Sequence, residues 1–174
     1  VMRDAQNKMS KRHGDPSYED LKAEGYLTEA ILNYVALLGW SPKDDTEIFS
    51  PQELIERFSL EAVNHSAAKF DITKCRWVNQ QHIIALPAEE FTAQARPFCL
   101  NAGLPDSPIL DDAIATVQTK VQTLAEVPDK IRFFFQPFRC IAHGYPNTRC
   151  LDCIRIQNRI SNTHYLFHSQ IQFF

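Results

Sequence analysis

Apolar residues recur at helical spacing through most of the chain as far as Phe135, in short blocks separated by Gly, Pro and capping residues. Ser17-Tyr18-Glu19-Asp20 reads as a cap with acids in the first turn, opening a short helix through Ala23 that Gly25 stops. Thr28 reads as the cap of a stronger helix, Glu29 to Leu38, with Ile31, Leu32, Val35 and Leu38 on one apolar stripe. Gly39 ends it, and Trp40 is large enough to plug the junction with a neighbouring helix. Ser50-Pro51-Gln52-Glu53 supplies a cap, a proline at the first helical position and a glutamate able to close a capping box. Leu54, Ile55 and Phe58 are the buried face predicted for that helix, and Ser59 to Val63 a short helical turn.

After the polar run Asn64-His65-Ser66, Asp71 caps a helix reaching about Leu86, with Ile72, Trp77 and Val78 as core positions. Pro87 opens the next helix, Ala88 to about Asn101, and Gly103 lies just past its end. Leu104 to Pro108 reads as a linker-like joint. A helix is predicted from Ile109 to Leu124, its stripe made by Ile109, Leu110, Ala113, Ile114, Val117, Val121 and Leu124. A last helix covers Pro128 to Phe135, with Ile131, Phe134 and Phe135 inward. Strand signals are sparse, Glu47-Ile48-Phe49 being at most a short extended piece. The pattern predicts a mainly α fold.

Composition narrows this picture. The chain has 174 residues, 44% hydrophobic and 22% charged, enough for one globular domain or two small ones. A net charge of -3 excludes a broadly basic nucleic-acid coat but permits a local basic patch. No apolar run approaches the length of a membrane span. No apolar leader stretch follows Arg3, and Val1 is not an initiator methionine. The expectation is a piece of a longer protein whose N-terminal part lies upstream. Cys75 and Cys99 stand alone in helical patterns and read as buried or half-buried thiols in a reducing compartment.

The candidate chemistry sits near the start. Lys8, Lys11, Arg12 and His13 crowd around Ser10 just before Gly14. Such a segment suits a loop that wraps a polyphosphate: lysines place point charges on flexible stems, the Ser10 hydroxyl can donate, and Gly14 permits a positive φ. From residue types alone, a solvated basic turn near a frayed terminus accounts for the same residues.

Lys8-Met9-Ser10-Lys11-Arg12-His13-Gly14 resembles the Lys-Met-Ser-Lys-Ser signature of class I aminoacyl-tRNA synthetases, in the form typical of bacterial and organellar glutamyl-tRNA synthetases. Gly25 to Tyr34, Leu37 to Pro42, Glu47 to Ser50, Leu54 to Phe58, Phe70-Asp71 and Arg76 to Asn79 are similar to the family downstream of that signature, in the same order. The similarity is strong to about residue 85, weaker to about Phe135 and absent from about Arg139 onward. It implies that residues 1–15 end a catalytic domain whose Rossmann part is absent from this chain. Residues 16–86 would be a helical stem-contact region and 87–138 part of an α-helical anticodon-binding domain. Residues 139–174 would be an atypical tail.

The resemblance further implies glutamate activation with ATP and Mg2+, then transfer to tRNA-Glu. Lys11 would be the catalytic contact to the ATP phosphates, and Lys8, Met9, Ser10 and Arg12 would shape the closing loop. Lys69, Lys74 and Arg76 are the tRNA-backbone candidates, each also explained as an ordinary solvated side chain. Trp40 and Trp77 could stack on a base, although their helical spacing favours core packing. His13 and His65 lack the nucleotide-binding context of the family. Without that Rossmann part, this chain alone would form no adenylate and hold no cofactor. A monomer in the cytoplasm, or in a mitochondrial or plastid matrix, is expected, with no membrane partner. A stand-alone tRNA-binding or regulatory module derived from a synthetase, without ligase activity, is the alternative.

The tail departs in composition, with Cys140, Cys150 and Cys153, three histidines, four arginines, one acid and no lysine or glutamate. Cys140, His143, Cys150 and Cys153 have zinc-ligand types in two close pairs. A reading-frame error or an altered splice explains the same residues and is the preferred reading, so no metal is expected.

Overall fold

A computed structural model describes residues 1–3, 7–42, 44–64 and 67–135. They belong to one compact unit, Val1–Phe135. Among the described residues seven helices follow in order: α1 (Tyr18–Ala23), α2 (Thr28–Gly39), α3 (Pro51–Arg57), α4 (Ile72–Ala85), α5 (Ala88–Asn101), α6 (Pro108–Ala115) and α7 (Val127–Ile131). The same residues hold no strand, only isolated bridges that pair Met2 with Lys8 and Lys69, and Trp40 with Val63. The mainly α expectation holds. Cys140, His143, Cys150 and Cys153, the residues with zinc-ligand types, lie outside the described ones, as does His65.

Local signals place the helix starts. Ser17 and Asp20 form a reciprocal capping box on α1, and Ser50 and Glu53 form one on α3. The Asp71 carboxylate accepts the Thr73 N–H at 2.8 Å and the Lys74 N–H at 3.3 Å, capping α4. Each such cap contributes about 1 kcal/mol. Thr28 does not cap α2: Leu27 holds that position without a side-chain bond, and the Thr28 hydroxyl meets Tyr18 Oη at 3.2 Å.

α2 packs chiefly on α4, and α5 on α6. The core runs through Leu21, Tyr34, Val78, Phe91, Leu110 and Ile131. The inward face of α2 differs from the predicted stripe. Ala30, Ile31, Asn33 and Tyr34 are buried, whereas Leu32 and Val35 are 52% and 54% exposed. Asn33 explains the rotation, because its amide is the hub of a buried polar network. Its Nδ2 donates to Glu47 O at 3.0 Å, and its Oδ1 accepts from Phe49 N at 2.9 Å. His82 Nε2 lies 2.9 Å from the same Oδ1. That oxygen is an acceptor, so Nε2 carries the proton.

Other apolar expectations fail for related reasons. α3 buries no side chain fully, and Ile55 and Phe58 are exposed. The helix leans on Trp40 instead, whose buried ring meets Phe49 at 5.5 Å and Phe58 at 5.9 Å. Trp40 is therefore the expected plug. On α4, Val78 is fully buried, but Ile72 and Trp77 are exposed, because Cys75, Asn79, His82 and Ile83 take the inward face. The helix predicted to reach Leu124 stops at Ala115. Thr116 Oγ1 bonds back to Ala113 O at 2.7 Å, and Gln118 Nε2 donates to Ile83 O and Leu86 O. Gln118 thereby satisfies carbonyls at the end of α4, and short 3-10 turns replace the helix. Ile109 and Phe134 face solvent rather than the core. The joint from Leu104 to Pro108 is tied down, since Arg96 pairs with both Asp106 and Asp111.

Gly25 must be glycine. Its φ is +83°, and a Cβ there would stand 2.6 Å from Ala125 N and 2.7 Å from Leu124 N. Its carbonyl accepts the Leu124 N–H at 3.0 Å, so the α1–α2 turn touches the far end of the unit.

Burial holds His82 below the ordinary histidine range, against a smaller opposing pull from Glu29. A histidine depressed in the folded state stays neutral while the unfolded chain takes up a proton. The stability it supports is present above about pH 6.5 and is lost as pH falls below that value. Urea unfolding at about pH 7.5 and about pH 5.5 is expected to show a larger acid loss for the parent chain than for His82→Gln. Equal losses would show that His82 is not the titrating group.

Candidate functional site

The basic loop is built on backbone hydrogen bonds rather than on burial. Residues 1–3 form a strip between the start of the loop and the segment before α4. On one side Arg3 N–H donates to Asn7 O at 2.9 Å and Met9 N–H to Val1 O at 3.2 Å. On the other, Met2 N–H donates to Ala68 O at 2.8 Å, and Phe70 N–H donates to Met2 O at 2.9 Å. Phe70 then packs edge-on against the ring of Tyr34 at 5.4 Å. The Tyr34 hydroxyl donates to Asp71 O at 2.9 Å and accepts from Asp71 N–H at 2.6 Å. Burial pushes this phenol up to about 12, so it stays protonated and keeps both roles. The loop thus hangs from the junction of α2 and α4.

Lys11, Arg12 and His13 form one 3-10 turn with no buried residue. Ser10 Oγ accepts the Arg12 N–H at 3.3 Å, so here the hydroxyl oxygen is an acceptor rather than only the predicted donor. Gly14 leaves the turn at φ +78°, as its position implies, and its N–H donates to Lys11 O at 3.1 Å. Lys8, Lys11, Arg12 and His13 are all exposed, while Met9 and Ser10 are half-buried.

Two acids that residue pattern alone does not single out frame the turn. Asp15 Oδ2 accepts the Ser10 N–H at 2.8 Å, and Asp15 Oδ1 faces Arg3 at 3.7 Å. Glu19 stands 3.6 Å from Lys11 Nζ in a pair exposed on both sides. A backbone N–H first, then the Ser17 hydroxyl and the Lys11 ammonium, hold the Glu19 carboxyl below its ordinary range. An exposed pair of this kind is screened by water and contributes little to stability. The only sequence signal for either acid is position: Asp15 follows the glycine exit, and Glu19 lies in the first turn of the next helix.

The three further cationic candidates differ. Lys69 is exposed, and its backbone pairs with Met2, which also pairs with Lys8. Lys8 and Lys69 therefore lie on opposite sides of Met2, each on a segment whose backbone is about 5 Å from that of Met2. Lys74 is half-buried and forms an ion pair with Glu47. Arg76 is exposed, and its Nε donates to Tyr26 Oη at 3.3 Å. Cys75 and Cys99 are buried thiols pushed by desolvation up to about 12 and about 11, which keeps them protonated. Among the described residues no group of three or more His, Cys, Asp or Glu is placed to hold a metal. Nor is any helix of theirs long and apolar enough to cross a membrane.

A site of this kind suits an anion with several oxygens, met by exposed cations on a locally ordered turn. Comparison with known proteins gives it a family. The model of class I tRNA synthetases (E and Q), catalytic domain, matches residues 1–77. A glutamate–tRNA ligase of Akkermansia muciniphila is 81% identical over 129 residues, covering 74% of this chain and 30% of the relative. One from Clostridium botulinum strain Hall is 44% identical over 136 residues, covering 77% of this chain and 27% of the relative. The chain thus spans less than a third of the length of these curated relatives. Among solved structures, the glutamate–tRNA synthetase of Elizabethkingia anophelis superposes with a TM-score of 0.67 at 26% identity, covering 77% of this chain and 31% of that one. A glutamate–tRNA ligase of Elizabethkingia meningosepticum in complex with its amino acid gives 0.65, also at 26% identity. The ordered sequence matches and the shared helical fold agree, and the chain belongs to the bacterial-type glutamyl-tRNA synthetases of class I, of which it carries a part.

Proposed function

We propose that this stretch supplies the phosphate-contacting loop and part of the tRNA-contacting surface of a glutamate–tRNA ligase. The exposed cations Lys11 and Arg12 on a hydrogen-bonded turn, with Lys8 on the extended segment before it, carry that reading. In the whole enzyme a glutamate carboxylate oxygen attacks the α-phosphorus of ATP, and pyrophosphate leaves. A hydroxyl of the tRNA terminus then attacks the activated acyl carbon, and AMP leaves. Negative charge grows on the phosphate oxygens in the first step, and an ammonium already in place stabilises it as it forms. Lys11 takes that role. Lys8 and Arg12 add charge beside it, while the backbone of Met9 and Ser10 fixes where the turn begins. Mg2+ would arrive on the phosphates of ATP, as part of the substrate.

The helices that follow serve the second substrate. Residues 16–86 form the stem-contact region, and the helices from residue 87 onward begin the anticodon-binding domain. Lys69 and Arg76 present exposed cations to a phosphate backbone, and Lys74 contributes less because Glu47 already neutralises it. The enzyme works as a monomer in the cytoplasm.

In the intact ligase, Lys11→Ala is expected to slow glutamate-dependent ATP–pyrophosphate exchange about a hundredfold or more, with tRNA affinity nearly unchanged. The 174-residue chain alone is expected to give no exchange above its own Lys11→Ala variant. A loss below about tenfold in the intact enzyme would remove Lys11 from the phosphate-contact role. Replacing Lys69, Lys74 and Arg76 together by alanine should weaken tRNA binding and flatten its salt dependence, the slope falling by roughly one for each phosphate no longer neutralised. A salt slope that does not move would discard all three assignments.

A further inference from the structure

We infer that Asp15 is a positioning residue for the loop: its carboxylate latches the start of the turn to its end and so fixes where Lys11 projects. The inference rests on the reading of Lys11 as a phosphate contact.

Three observations carry it. The turn buries no side chain, so apolar packing cannot hold its shape. The Asp15 side chain is itself only 11% exposed, which is unusual for an acid beside a cationic loop. Its two oxygens divide their work. Oδ2 takes the Ser10 N–H at 2.8 Å, and Oδ1 faces the Arg3 guanidinium at 3.7 Å. The Asp15 N–H also returns to Ser10 O at 3.4 Å, so residues 10 and 15 are tied through both backbone and side chain. Arg3 reaches His13 O at 3.5 Å and braces the same turn from outside.

Lys11 lies inside the ring that this latch closes. Its own carbonyl is held by Gly14 N–H, and Ser10, the residue before it, is held by Asp15. Without the carboxylate, the Ser10 N–H loses its partner, and the side-chain tie between the two ends of the turn is gone. The Lys11 ammonium would then sample many positions, and a contact that must be in place as charge develops would be made less often. Helix packing should not change, because the polar partners of the carboxylate, Ser10 and Arg3, lie outside the core cluster.

The test is made in the intact ligase. Asp15→Ala should lower kcat for ATP–pyrophosphate exchange about tenfold or more and leave the KM for glutamate and the melting temperature nearly unchanged. Asp15→Asn keeps an oxygen for the Ser10 N–H and should recover most of that loss. On the chain itself, Asp15→Ala should speed hydrogen exchange at the Ser10 amide, with the amides of α4 unaffected. A kcat within about twofold of the parent, or an asparagine variant as impaired as the alanine one, would overturn the inference. Lys11→Ala separates the two levels. If it too leaves exchange intact, the phosphate-contact reading fails. If it abolishes exchange while Asp15→Ala does not, only the latch fails.

Discussion

The structure depends on one buried amide, that of Asn79. No part of this residue is exposed, and it joins two segments far apart in sequence. Its Oδ1 accepts the Leu27 N–H at 2.8 Å, which supplies the cap that α2 otherwise lacks. Its Nδ2 donates to Gln122 O at 2.6 Å, which fixes the irregular stretch after α6. A leucine there would gain apolar burial but leave the buried Leu27 N–H without a partner, at about 1 to 3 kcal/mol, and would take from the half-buried Gln122 carbonyl its bond to Nδ2. Asn33 does comparable work one helix away, and together the two amides set how α2 lies on α4.

The way α2 lies on α4 positions the loop. Tyr34 on α2 holds Asp71 at the cap of α4, Phe70 packs on Tyr34, and Met2 hydrogen-bonds to the segment that carries Phe70. The cations themselves remain in solvent. This arrangement suits a loop that must exchange one anionic partner for another: the scaffold is hydrogen-bonded throughout, while the Lys11 ammonium meets Glu19 in a pair open to water. A deeply buried lysine would be better ordered and would lose affinity for its proton.

Much of this is legible in the sequence because it is local. Ser17, Ser50 and Asp71 announce helix starts, Gly25 and Gly103 announce stops, and Gly14 announces the positive φ that closes the loop. Failures arise where a distant polar partner outweighs hydrophobic periodicity. The apolar stripe of α2 is misplaced because a buried asparagine is invisible to a count of apolar spacing. Trp77 faces solvent because Asn79 and His82 claim the inner face of α4. The helix predicted to reach Leu124 stops early because Gln118 is spent on the carbonyls that end α4. At the site, the basic residues and the family resemblance can be read directly. Asp15 cannot, since an acid after a glycine turn looks like a solvated residue until its partners are seen.

Hydrogen bonds of the buried Asn33 and Asn79 side-chain amides, rather than apolar packing alone, thus set the frame that carries the loop. Urea unfolding of Asn79→Ala tests this most directly. A stability loss of about 2 to 4 kcal/mol is predicted, from the orphaned Leu27 N–H, the lost bond to the Gln122 carbonyl and a small cavity. A loss within about 0.5 kcal/mol of the parent would contradict it, because a side chain replaceable at so little cost cannot be what holds α2 against α4.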